Sequence, residues 1–153
     1  MTSCLVLILS ACSNDPPPQK APLTDFTVSW DSTTAVVTDQ VTGIIKAQQE
    51  AQLLLNVLDT IQEAPYPELK ARIEQELKGL GAASEASFAF VNRWQEGATR
   101  LNQLKEEQVG TVSEQDLMPL RELEQEGQQQ AKAWAAQLDT VQVLFREAKI
   151  LLD

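Results

Sequence analysis

Residues 120–152 read LRELEQEGQQQAKAWAAQLDTVQVLFREAKILL, and the spacing inside this stretch decides the fold class. Leu120, Leu123, Gly127, Ala131, Trp134, Leu138, Val141, Phe145, Ala148 and Leu152 follow one another at steps of three and four. That repeat gathers side chains on one face of a helix turning every ~3.6 residues. Glu, Gln, Lys and Arg occupy most of the intervening positions, so the helix has one apolar stripe and needs partners to bury it. Gly127 and Ala131 allow close approach of another backbone, whereas Trp134 and Phe145 fill wider layers. Two starts fit this helix. Ser113 with Asp116 at the N3 spacing makes a capping box, with a bend at Pro119, or Asp116 is itself the cap with Pro119 in the first turn, where a missing N–H is harmless.

Upstream, Glu63, Ala64, Pro65 and Tyr66 break the chain, and Pro67 suits the first helical position. Leu69, Ile73, Leu77, Leu80, Ser84, Phe88, Val91, Trp94, Ala98 and Leu101 continue a helical stripe to about Lys105. Glu68 with Arg72, Lys70 with Glu74, Glu74 with Lys78, and Glu96 with Arg100 stand four apart, the spacing of ion pairs along a solvated face. Gly79 and Gly81 allow a kink or a break, but the apolar phase persists across them, which favours one helix. They do not make a nucleotide loop, which needs more glycines at set spacing after a strand.

A first helix is expected from a Thr38 cap to about Gln62, with Val37, Val41, Ile44, Ala47, Ala51, Leu54, Leu55, Leu58 and Ile61 on one broad face. Gly43 weakens its early turns. These features predict an all-α, elongated antiparallel three-helix bundle. Two long helices form a hairpin and a shorter first helix packs on it, with lengths of about 41, 35 and 25 residues. A shorter first helix would leave part of the hairpin uncovered, as an apolar groove for a partner helix or a second copy.

The N-terminal part reads differently. Leu5–Leu9 is apolar, followed by Ser10, Ala11 and Cys12 and then by SNDPPPQKAP. A run this short cannot span a bilayer, which takes about 20 helical residues, and matches a processing signal. The tetrapeptide Leu9-Ser10-Ala11-Cys12 resembles the lipobox of bacterial lipoproteins. The resemblance implies cleavage before Cys12 and acylation of its thiol, hence a membrane partner through the N-terminal lipid. No Lys or Arg precedes Leu5, a departure that a start codon further upstream would repair. Ser13 after the modified Cys implies, by the same resemblance, the outer membrane facing the periplasm. Cys4 leaves with the signal, so no thiol remains for a disulfide.

The expected organisation is therefore a signal segment over residues 1–11, a Pro-rich tether over 12–35 and the bundle over 36–153. Within the tether, Phe26, Val28 and Trp30 alternate with Thr27 and Ser29, the period of a short extended piece. Such a piece would lay Trp30 and Phe26 against an end of the helical body, or offer them as an exposed epitope.

Composition narrows the chemistry. There are 12 Lys and Arg against 22 Asp and Glu, a net charge of −10, and no His. The charge opposes binding to a nucleic-acid backbone. Without His the usual zinc sites and the Glu-x-x-His recipe of di-metal bundles cannot be built, so neither a metal nor another cofactor is expected. The carboxylates nearest the stripes, Glu76 and Glu124, read as boundary residues in water. Glu122, Glu124 and Glu126 ahead of Gln128, Gln129 and Gln130 read as a solvated face. No nucleophile has a base placed by a motif, so no enzyme is expected.

The leading expectation is a lipid-anchored envelope protein that acts by contact, on a protein partner or a second copy of itself. The alternative is a binder of an apolar small molecule held among Phe88, Trp94, Trp134 and Phe145, residues that would otherwise line an interface or fill the core.

Overall fold

The computed structural model describes residues 20–61, 66–107 and 111–152. The chain runs β1 (Lys20–Pro22), α1 (Leu23–Thr60), α2 (Pro67–Glu107), β2 (Thr111–Ser113) and α3 (Glu114–Leu152). Three long helices run up and down beside one another as an all-α bundle, the architecture that the three stripes imply.

The first helix departs from expectation. α1 has 38 residues against 41 in α2 and 39 in α3, so it is within three residues of its partners rather than markedly shorter, and it covers the α2–α3 hairpin along its length. Its start at Leu23 places residues 23–35 in the body, where a tether had been expected. Phe26 and Trp30 are each 3% exposed and Val28 is 65% exposed, which assigns the segment to the helical period through Phe26, Trp30, Thr33 and Val37. Thr38 lies well inside the helix. Threonine is a weak helix former because its branched side chain crowds the preceding turn and its hydroxyl competes for backbone groups. Here Thr27, Thr34, Thr38 and Thr42 each donate a hydroxyl hydrogen bond to the carbonyl four residues back, at 2.8–2.9 Å, so the hydroxyls are satisfied within the helix.

α2 begins as expected at Pro67, with the Tyr66 carbonyl accepting the Lys70 N–H at 3.0 Å, and it runs unbroken through Gly79 and Gly81. After Leu80, however, the buried face passes through Ala83, Ser84, Ser87, Phe90, Trp94 and Gly97, and Phe88 lies outside it. The buried Ser87 hydroxyl is satisfied by the Ser84 carbonyl at 2.8 Å.

For α3 the structure selects the first of the two starts. The Asp116 N–H donates to Ser113 Oγ at 3.1 Å and the Ser113 hydroxyl donates to Asp116 Oδ2 at 2.7 Å, so Ser113 caps the helix and Pro119 falls in the second turn. From Leu120 onward every residue of the expected stripe is buried or packed against the core.

β1 and β2 pair antiparallel, with Ala21 opposite Val112. The ladder ties the start of α1 to the connection between α2 and α3, and Val112 is fully buried beneath it. Ion pairs cross between helices more than they run along them. Lys70 reaches Asp59, Arg72 reaches Glu147 at 3.0 Å, Arg93 reaches Glu126, and Lys149 reaches Glu50 at 2.6 Å. Of the expected pairs within α2, only Lys70 with Glu74, at 3.9 Å, is made among the described residues.

Candidate functional site

Leu9-Ser10-Ala11-Cys12, on which the lipid reading stands, lies outside the described residues. Of the four aromatics named as a pocket or interface, three are interior and one is not. Trp94 is 5%, Trp134 4% and Phe145 2% exposed, whereas Phe88 is 55% exposed on the outer face of α2. Phe88 is therefore no part of an interior layer. The correction follows from the helical phase: Phe90, two positions on, points inward in its place.

The interior aromatics run from the part of α1 near the β1–β2 ladder toward the middle of the bundle. Trp30 stacks on Trp94 with ring centroids 3.9 Å apart and planes at 15°. Phe90 lies 5.6 Å from Trp94 and packs edge-on against Trp134 at 6.1 Å. Phe145 stands eleven positions further along α3, about 16 Å by helical rise, and takes no part in this stack. Two glycines make room for it. A Cβ on Gly97 would lie 2.8 Å from Trp30 Cη2, and one on Gly127 would lie 2.8 Å from Trp94 Cζ3. Trp30, which fell in the expected tether, fills the space beside Trp94. The indole N–H of Trp94 donates to Thr34 Oγ1 at 3.0 Å, so the one polar atom of the ring is satisfied.

A polar cluster adjoins the stack. Glu124 was expected at the boundary with its carboxylate in water; it is 7% exposed, on the face of α3 turned to α1. Its Oε1 accepts a hydrogen bond from the Ser29 hydroxyl and a longer one, 3.5 Å, from Thr33. Gln128 Nε2 donates in turn to Thr33 Oγ1 at 3.4 Å. Ser29 and Thr33, one helical turn apart on α1, supply the donors that let a charged residue occupy a buried seam position. Among the described residues no buried side-chain nitrogen or oxygen lacks a partner. A signal for this cluster exists in the sequence: Glu124 stands four after Leu120 and three before Gly127, both on the stripe.

Beside the cluster, α1 and α3 leave an open groove of about 330 Å³ lined by Thr33, Val36, Gln128, Ala131 and Lys132. Lys70, Arg72, Arg93 and Lys149 are held by acids across the helix boundaries. A hydrogen bond from Lys70 to Asp59 raises its pKa above the ordinary lysine value, and the Glu147 and Glu126 carboxylates raise those of Arg72 and Arg93 in the same way. Among the described residues no group of three or more Cys, Asp or Glu side chains is placed to hold a metal ion, and no helix is long and apolar enough to cross a membrane.

Comparison with family models, with curated proteins and with solved structures yields no match.

Proposed function

We propose that the chain is a lipid-anchored protein of the bacterial envelope that works by contact, as a non-enzymatic interaction or structural component. The observation that carries the reading is Leu9-Ser10-Ala11-Cys12, which closes an apolar run and is followed at once by Pro16, Pro17 and Pro18. Several acyl chains on Cys12, at about 0.8 kcal/mol per buried methylene, would hold the protein durably, beyond the marginal grip of one chain. Ser13 supports the outer membrane, facing the periplasm, as the address.

The body supports a role exerted through its surface. Trp30 is stacked on Trp94, in space that an apolar guest among the interior aromatics would need. Its helices are joined by ion pairs across three interfaces, which favours a stiff rod. Binding of an apolar small molecule among Trp94, Trp134 and Phe145 draws less support from this packing. A protein partner or a second copy is the occupant proposed for the helical surface.

The test is metabolic labelling of the native gene product with an alkyne fatty acid, followed by fractionation and crosslinking in the envelope. Label and membrane recovery are expected for the wild type and loss of both for Cys12→Ser. A crosslinked species above monomer size is expected as well. An unlabelled, soluble wild type overturns the anchor, and a labelled protein that stays monomeric overturns the contact role.

A further inference from the structure

The ladder between β1 and β2 determines which end of the bundle an N-terminal anchor can hold. β1 leads with no intervening residue into Leu23, the first residue of α1, and pairs with the strand that ends in the Ser113 cap of α3. The chain thus joins the body where α1 starts, α2 ends and α3 starts. The connection between α1 and α2, together with the last turn of α3, lies at the opposite end.

Covalent reach then sets a limit. Cys12 and Lys20 are about eight residues apart, and a fully extended chain spans at most ~3.6 Å per residue, or about 29 Å. At ~1.5 Å per residue, α1 alone is about 57 Å long. The far end of the bundle therefore cannot be drawn to the point of anchorage. The geometry points to a directed molecule: with the anchor at Cys12, the end bearing β1 and β2 is held at the membrane. The α1–α2 end projects away from it. This inference rests on the lipid-anchor reading above.

Electrostatics favours projection over lying flat. The protein carries a net charge of −10. A rod laid along an anionic bilayer would bring more of that net charge within a Debye length of ~8–10 Å than a standing rod, which brings only one end.

The test uses the full chain with Cys4→Ser, which leaves Cys12 as the sole thiol of the two. Cys12 is coupled to a maleimide lipid in vesicles of phosphatidylethanolamine and phosphatidylglycerol that contain a rhodamine lipid as energy-transfer acceptor. A donor dye is attached through an azido amino acid at Lys105, an exposed site on the held end, or at Ile150, 77% exposed on the far end. Strong donor quenching at Lys105 and weak quenching at Ile150 are expected. Equal quenching at the two sites, or the reverse order, overturns the inference. Because the lipid is attached chemically, this outcome is independent of whether cells acylate Cys12, which the fatty-acid labelling decides on its own.

Discussion

Replacing Gly97 by Ala tests whether Trp30 belongs to the core of the bundle. In an exposed helix interior the change gains ~0.8–1 kcal/mol, because Gly gives up more backbone freedom on folding than Ala. Here the new methyl would lie 2.8 Å from Trp30 Cη2 and 3.3 Å from Cζ2, and 2.8 Å from Leu123 Cδ2. The Leu123 methyl is the tip of a flexible chain and can rotate away. The Trp30 ring is pinned, stacked at 3.9 Å on Trp94 and 3% exposed, so the overpacking cost of ~1–3 kcal/mol falls on the indole stack. G97A should therefore leave stability unchanged or lower it by up to about 2 kcal/mol. W30A alone should cost ~3–5 kcal/mol, as removal of a buried aromatic does. In the W30A background the obstacle is gone, and G97A should recover its intrinsic gain of ~1 kcal/mol. The two changes are thus coupled by ~1–3 kcal/mol, well outside the ~0.5 kcal/mol within which independent sites add. Urea unfolding of the four proteins of the cycle, followed by far-ultraviolet circular dichroism, measures this directly. Additive effects would refute the packing of Trp30 over Gly97, and with it the place of residues 23–35 in the body.

Three other outcomes are expected. A chain begun at residue 36 should lose cooperative unfolding or fall several kcal/mol below one begun at residue 20, since it discards the buried Leu23, Phe26, Trp30 and Thr33; equal unfolding midpoints would contradict the fold. Glu124→Leu should change stability by less than about 1 kcal/mol in either direction, while Ser29→Ala combined with Thr33→Val should cost ~1–3 kcal/mol by stripping the buried carboxylate of its donors, as read by calorimetry; the opposite ranking would show that Glu124 is solvated. Lys70, whose pKa is raised by Asp59, contributes stability that is fully present below the ordinary lysine value and is lost as the pH rises through the raised one, so Asp59→Asn should lower stability slightly at neutral pH, flatten the alkaline limb and converge with the wild type above the raised value. An alkaline limb identical in wild type and D59N would remove this pair from the account.

The legibility of the fold varies along the chain for physical reasons. α3 is readable because its stripe is long, apolar and separated by polar residues, so only one phase fits. In α2 the phase is clear as far as Leu80 and then passes through Ala83, Ser84 and Ser87, small residues that carry little hydropathy signal. Phe88 and Phe90, on different faces, are equally apolar, and the choice between them is made by packing against Trp94 and Trp134. Gly97 is invisible to any hydropathy pattern, because its place in the core comes from what lies against it. At the start of α1, Phe26 and Trp30 satisfy a period of two and a period of 3.6 alike, and Thr and Val tilt the local preference toward extended chain. Tertiary burial of both rings settles the matter, helped by hydroxyls that bond back to the helix. Glu124 was misplaced because a carboxylate on a seam is costly unless donors wait for it, and those donors come from the segment that had been read as a tether.

That dependence also explains why a buried acid is found in this seam. The α1 stripe recurs every three to four residues, so sliding α1 by one turn along α3 would still bury apolar side chains, and apolar burial alone discriminates weakly between the registers. The polar cluster does discriminate. A slip of four residues in one direction puts Thr33 in the place of Ser29 and Val37 in the place of Thr33, leaving Glu124 one donor short. A slip the other way brings Asp25 into the place of Ser29, facing the carboxylate with like charge. Either slip also moves Trp30 off Gly97, whose missing side chain is what admits the ring. Loss of one donor to a buried carboxylate costs ~1–3 kcal/mol, enough to depopulate a competing register by roughly fivefold to over a hundredfold at 25 °C. On this argument the net worth of Glu124 lies in the register it enforces between α1 and α3, and the measured stability of Glu124→Leu is free to equal or exceed that of the wild type while its helix pairing becomes less unique.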